Sequence, residues 1–144
     1  LRAYPVLKLA GALEAGRVRE ALRRLRRGEW VALFPEGEMR YPGPLGPLRE
    51  GANWLARKAG VPLLPVALRV VLRGYEHPEA FLWVGRPLPP GGDLGRALGG
   101  LLQALDALLA KTHPREVPEG FREVLRGRRS LEERVLPLVR LLRP

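Results

Sequence analysis

The chain has 144 residues, a formal net charge of +10 and no cysteine. That length suits one domain with a real core, and the charge favours an anionic partner, whether nucleic acid, a phosphorylated small molecule or an acidic membrane surface. The missing cysteine excludes disulfides, thiolate nucleophiles and Cys-based metal centres. The lone serine, Ser130, lies in an arginine-rich tail unsuited to a Ser-His-Asp triad, and His77 and His113 stand too isolated to form a metal-ligand spacing.

Arginine supplies 22 of the 25 basic residues, Ile is absent, and Ser, Thr, Asn and Gln occur once each, as expected of a high-GC, thermophilic source. Leu1 in place of Met reads as the start of a processed or truncated form of something longer. No apolar run reaches the roughly 18 residues of a membrane span. The nearest, AGVPLLPVALRVVL, is shorter and carries two prolines and an arginine. The N-terminal residues show no secretory signal pattern.

In chain order, residues 16–28 place Val18, Ala21, Leu22 and Leu25 at helical spacing, with six arginines around them and Gly28 as a stop. This predicts a basic amphipathic helix whose charged face is chiefly solvated. WVALF at 30–34 is a short apolar run ending in Pro35, expected as a strand buried on both faces of a parallel sheet. The loop 35–47, with four prolines and three glycines, is expected to be rigid and exposed.

Residues 48–59 predict a helix with Ala52, Leu55, Ala56 and Ala59 on one face and Gly60 as its cap. VPLLPVALRVVL reads as a buried strand, its prolines favouring a strand start or sheet edge, and FLWV at 81–84 as another strand. Asp93 can N-cap a long helix with Leu94, Leu98, Leu101, Leu105 and Leu108 along one core-facing side. From Pro114 the tail is helical in pattern, with eight arginines against five glutamates. This order predicts an α/β domain, with a mostly parallel central sheet flanked by helices over residues 1–113 and a basic helical tail over 114–144.

FPEGEMR at 34–40 falls where α/β folds gather ligands, beyond the carboxyl end of a strand. Gly37 can turn the chain sharply at positive φ, Glu36 can project into the crevice, and Arg40 can offer paired donors to a phosphate. Around it stand GALEAGR at 11–17, LREGANWLA, VPLLPV at 61–66 and FLWVGRPL. In this order and at these intervals, roughly residues 11–88 resemble the glycerolipid acyltransferase family, which includes the lysophosphatidic acid (1-acylglycerol-3-phosphate) acyltransferases. Its glycine-to-arginine, Phe-Pro-Glu-Gly and Val-Pro-x-x-Pro-Val blocks match Gly11 to Arg17, Phe34 to Gly37 and Val61 to Val66.

The resemblance implies that Arg17, Glu36 and Gly37 help hold the glycerol-phosphate part of an acceptor, with Arg40 as a further candidate. It also implies that Val61, Pro62, Pro65 and Val66 shape the side nearest the acyl chain. The family continues its Phe-Pro-Glu-Gly block with Thr-Arg-Ser. Here Glu38-Met39-Arg40 follow, so the arginine comes one place late and a second carboxylate stands beside Glu36, which suits a less charged head group.

The family's catalytic pair is a histidine followed five places later by aspartate, the histidine acting as general base. Here Leu82 follows His77 at that interval and Pro118 follows His113, so the pair is absent from this sequence and is expected upstream of Leu1. The implied protein is a peripheral acyltransferase at the cytoplasmic face of the cell membrane. It would act on a lyso-glycerolipid with acyl-CoA or acyl carrier protein as donor, and without a metal or redox cofactor. The alternatives are a catalytically inactive lipid-binding homologue and, on charge alone, a nucleic-acid-binding module. Against the latter, Trp30, Trp54, Trp83, Phe34 and Phe81 lie within predicted elements and are not interleaved with arginines as a stacking platform.

Overall fold

A computed structural model of the chain describes residues 17–38, 43–74 and 76–125. They form helix α1 (Val18–Arg26), helix α2 (Gly51–Ala59), strand β1 (Val66–Val71), strand β2 (Glu79–Val84) and helix α3 (Leu94–Lys111). These elements fall into two compact units. One contains the described residues of 17–65 with Arg86–Ala97, and the other contains Val66–Gly85 with the described residues from Leu98 onward.

In the first unit, α1 and α2 pack against each other. Ala21 of α1 and Ala52, Leu55 and Ala56 of α2 are buried, which are the faces that the apolar spacing predicts. The arginine-rich surface of α1 is solvated and laced to itself. Glu20 pairs with Arg23 and Arg24 at 2.5 and 3.2 Å, and Arg24 reaches Glu29 at 3.2 Å. Both helices end on glycine, as expected: Gly28 at φ +79° after α1, and Gly60 at φ +68° after α2, where the Gly60 and Val61 N–H groups close on the Ala56 carbonyl. An isolated antiparallel bridge, Leu63 with Leu88, completes the unit.

The second unit is a hairpin covered on one face. β1 and β2 run antiparallel, with Val66 opposite Val84, Leu68 opposite Leu82 and Val70 opposite Ala80. Ala67 and Phe81 point to the other face, where with Leu105 of α3 they make a core joined by Val71, Trp83, Leu101, Leu102, Leu109 and Phe121. Phe121 stands edge-on to both Phe81 and Trp83, at 5.8 Å between ring centroids in each case. Arg69 of β1 holds Asp106 of α3 with two hydrogen bonds of 2.6 and 2.8 Å. At the hairpin's far end, Arg73 lies over the Phe81 ring and donates to the carbonyls of His113 and Glu116. The α3 cap is as predicted, the Arg96 N–H donating to Asp93 Oδ1 at 2.9 Å, and of the leucine stripe Leu94, Leu98 and Leu105 are buried while Leu101 and Leu108 are half-buried.

Three expectations need correction. The described strands pair antiparallel, because residues 72–78 are too few for a parallel crossover, which takes about a dozen or more. WVALF is not a strand: no described residue offers it a ladder, and Trp30 and Phe34 stay 87% and 80% exposed. The tail from Pro114 is not helical through residue 125. Pro114 and Pro118 bring no N–H, and the chain runs in turns closed by Glu116 N–H on His113 O and Phe121 N–H on Pro118 O. Residues 126–144 lie outside the described residues.

Candidate functional site

The Phe34–Gly37 segment is a tight turn. The Gly37 N–H donates to the Phe34 carbonyl at 3.0 Å, with Pro35 and Glu36 between them and Gly37 itself at φ +71°. Only glycine adopts that backbone without strain, which is why the turn can leave its apolar lead-in so abruptly.

Two hydrogen bonds tie this turn to the stretch just before α2. Glu36 Oε1 accepts from the Gly46 N–H at 2.6 Å, and the Pro35 carbonyl accepts from the Arg49 N–H at 2.8 Å. The proline-rich loop therefore returns to its own start. Glu36 is half-buried, with one carboxylate oxygen committed to the protein's own backbone.

The pairing brings a cation that sequence reasoning passed over. The Arg49 side chain lies across Gly37, so closely that a methyl group there would sit 2.5 Å from Arg49 Nε and 2.6 Å from Cδ. Arg49 is exposed, and its guanidinium makes no hydrogen bond or ion pair among the described residues. The neighbouring Glu50 carboxylate is shared with Arg57 at 3.9 Å. The turn thus presents a rigid backbone, a braced carboxylate and an unengaged guanidinium, the donor type best matched to paired oxygens of a phosphate or carboxylate.

The other predicted residues are more dispersed. Arg17 caps the start of α1, its carbonyl accepting from Glu20 and Ala21, and no bond joins it to Glu36. Arg40 lies outside the described residues. Of the proposed acyl-side residues, Pro65 is buried, Val61 is half-buried, and Pro62 and Val66 are exposed, so the four do not share one environment. A groove of about 340 Å³ in the second unit, lined by Leu82, Trp83, Val84, Phe121, Arg122 and Val124 among others, contains none of the predicted residues. Among the described residues no group of acidic or histidine side chains could hold a metal, and no helix is long and apolar enough to cross a membrane.

Residues 7–69, which include the turn and its partner stretch, match the family model described as Acyltransferase. The chain is 32% identical over 98 residues to a 1-acyl-sn-glycerol-3-phosphate acyltransferase of Pseudomonas aeruginosa, an alignment covering 61% of this chain and 37% of that protein. It is 36% identical over 84 residues to an N-acylphosphatidylethanolamine synthase of Arabidopsis thaliana, covering 56% of this chain and 28% of the relative. It is 37% identical over 51 residues to a chloroplastic 1-acyl-sn-glycerol-3-phosphate acyltransferase of Brassica napus, covering 35% and 15%. The matched segments are thus well under half of each relative's length. No solved structure matches. Over this segment, then, the chain is similar to acyltransferases, and the relatives it matches are named for the acylation of glycerolipids.

Proposed function

We propose that this chain is the acceptor-binding part of an acyltransferase that moves a fatty acyl group from a thioester carrier to the hydroxyl of a lyso-glycerophospholipid in phospholipid synthesis. The observation that carries this reading is the family match over residues 7–69, which contains the Glu36-Gly37 turn, together with relatives named for acylation of 1-acylglycerol 3-phosphate. The net charge of +10 suits an anionic acceptor and an anionic leaflet.

The chain's own residues bind and orient. The turn at 34–37 and Arg17 hold the polar end of the acceptor, and the apolar lead-in to β1 at Val61–Val66 lies toward the acyl chain. The donor is acyl-CoA or acyl carrier protein. Transfer joins the acceptor oxygen to the acyl carbon, releases the carrier thiol and moves the hydroxyl proton to a general base. In the family that base is a histidine held by an aspartate five places later, a spacing that neither His77 nor His113 makes within residues 1–144. The protein works peripherally at the cytoplasmic face of the membrane.

A labelled acyl thioester and lysophosphatidate, offered to the natural full-length protein, should yield labelled phosphatidate. Arg17→Ala and Glu36→Ala should each lower kcat/KM by about tenfold or more. Unchanged transfer in both variants would overturn the site assignment. No transfer at all, with vesicle binding intact, would identify a lipid-binding homologue. The Arabidopsis relative favours a second acceptor, the amine of an ethanolamine phospholipid, so phosphatidylethanolamine belongs in the same assay. Binding to an oligonucleotide in preference to anionic vesicles, at two salt concentrations, would point instead to nucleic acid.

A further inference from the structure

We propose that Arg49 is the group that receives the phosphate monoester of the acceptor, and that Glu36 is a positioning residue that seats it. This rests on the acceptor reading above and changes who does what within that site.

A carboxylate is a poor ligand for a phosphate, since the two anions repel each other at contact distance. The structure gives Glu36 other work. Its Oε1 takes the Gly46 N–H at 2.6 Å while the Pro35 carbonyl takes the Arg49 N–H at 2.8 Å. These two bonds clamp residues 46–49 onto the turn and fix the backbone from which the Arg49 side chain grows. Gly37 then provides the bed. Lacking a side chain, it lets the Arg49 stem lie across its α-carbon, where any Cβ would overlap Nε and Cδ.

The guanidinium held this way is exposed and has no hydrogen bond or ion pair among the described residues. That sets it apart from Arg24, Arg57, Arg69 and Arg73, each of which is engaged by an acid or a carbonyl. An arginine whose stem is restrained and whose donors are unspent loses little freedom on binding an anion. Two of the carboxylates near it in sequence are engaged, Glu36 by the Gly46 N–H and Glu50 by Arg57.

The test is co-sedimentation of the chain with phosphatidylcholine vesicles carrying either lysophosphatidate or, as a neutral counterpart, monoacylglycerol. Wild type should prefer lysophosphatidate. Arg49→Ala should weaken that binding about tenfold and leave the monoacylglycerol vesicles unaffected. Arg49→Lys should recover only part of it, because a point charge replaces a fork. Arg26→Ala, which removes the same charge from an exposed arginine of α1, should change little. Glu36→Gln should weaken binding to lysophosphatidate less than Arg49→Ala does.

Release of the chain by inorganic phosphate would identify the phosphate group alone as the ligand, and resistance to it would identify the whole headgroup. Both support a cation at Arg49. A preference retained in a folded Arg49→Ala protein overturns this assignment and leaves the acceptor reading standing. Equal losses in Arg49→Ala and Arg26→Ala overturn it in favour of bulk charge. A wild type without the preference overturns both readings.

Discussion

Gly37 holds φ +71° while the stem of Arg49 lies against its α-carbon, so one residue meets two separate demands. Gly37→Ala should therefore cost about 1 kcal/mol from the backbone alone, and the new methyl should push Arg49 aside. Thermal unfolding would measure the first effect, and loss of binding to lysophosphatidate vesicles beyond what that destabilisation explains would report the second. The sharp turn at Gly37 was legible in the sequence, because Pro-Glu-Gly after an apolar run is a local signal, whereas the bond of Glu36 to the Gly46 N–H was not. Nor was Arg49. It is twelve positions from Gly37, and only the clamp of Glu36 on Gly46 and Pro35 on Arg49 brings it back. Long-range hydrogen bonds between irregular segments leave no periodicity to read.

Among the elements, those with local stop and start chemistry were the most legible. The Asp93 cap, the Gly28 and Gly60 terminations and the leucine stripe of α3 all stand where spacing placed them. WVALF and the parallel sheet were misread for a shared reason: a strand is defined by its neighbour, and an apolar run does not name one. Two predictions belong at this scale. Leu105 is wholly buried against Ala67 and Phe81, so Leu105→Ala should lower unfolding free energy by about 2–5 kcal/mol in denaturant titration.

The second concerns acid. The hydrogen bonds from Arg69 hold the Asp106 carboxyl below its ordinary value of 3.8, with partial burial opposing them. A carboxyl with a lowered folded pKa stabilises the fold above its unfolded value, and that contribution fades as pH falls through the folded value. Because the Asp106 side chain is 50% exposed, the pair is worth about 1 kcal/mol or less. Asp106→Asn should lower stability by that amount at neutral pH and match wild type in strong acid. An equal deficit at both ends would rule out the ion pair as its source.

For the whole molecule, charge and apolar surface pull in opposite directions. The face of the hairpin turned away from α3 consists of Val66, Leu68, Val70, Ala80, Leu82 and Val84, with no polar side chain in register, and Val70, Leu82 and Val84 are each more than half exposed. A contiguous apolar surface of this kind attracts copies of itself in water, and the mutual repulsion of chains at +10 holds them apart. Salt removes that protection, since a Debye length of about 30 Å at 0.01 M shrinks to about 3 Å at 1 M. Light scattering from the isolated chain should accordingly rise with ionic strength, the reverse of an assembly held by ion pairs, and Leu68→Lys with Leu82→Lys should abolish the rise. For anyone handling the protein, the bare hairpin face makes low salt the condition of colloidal stability.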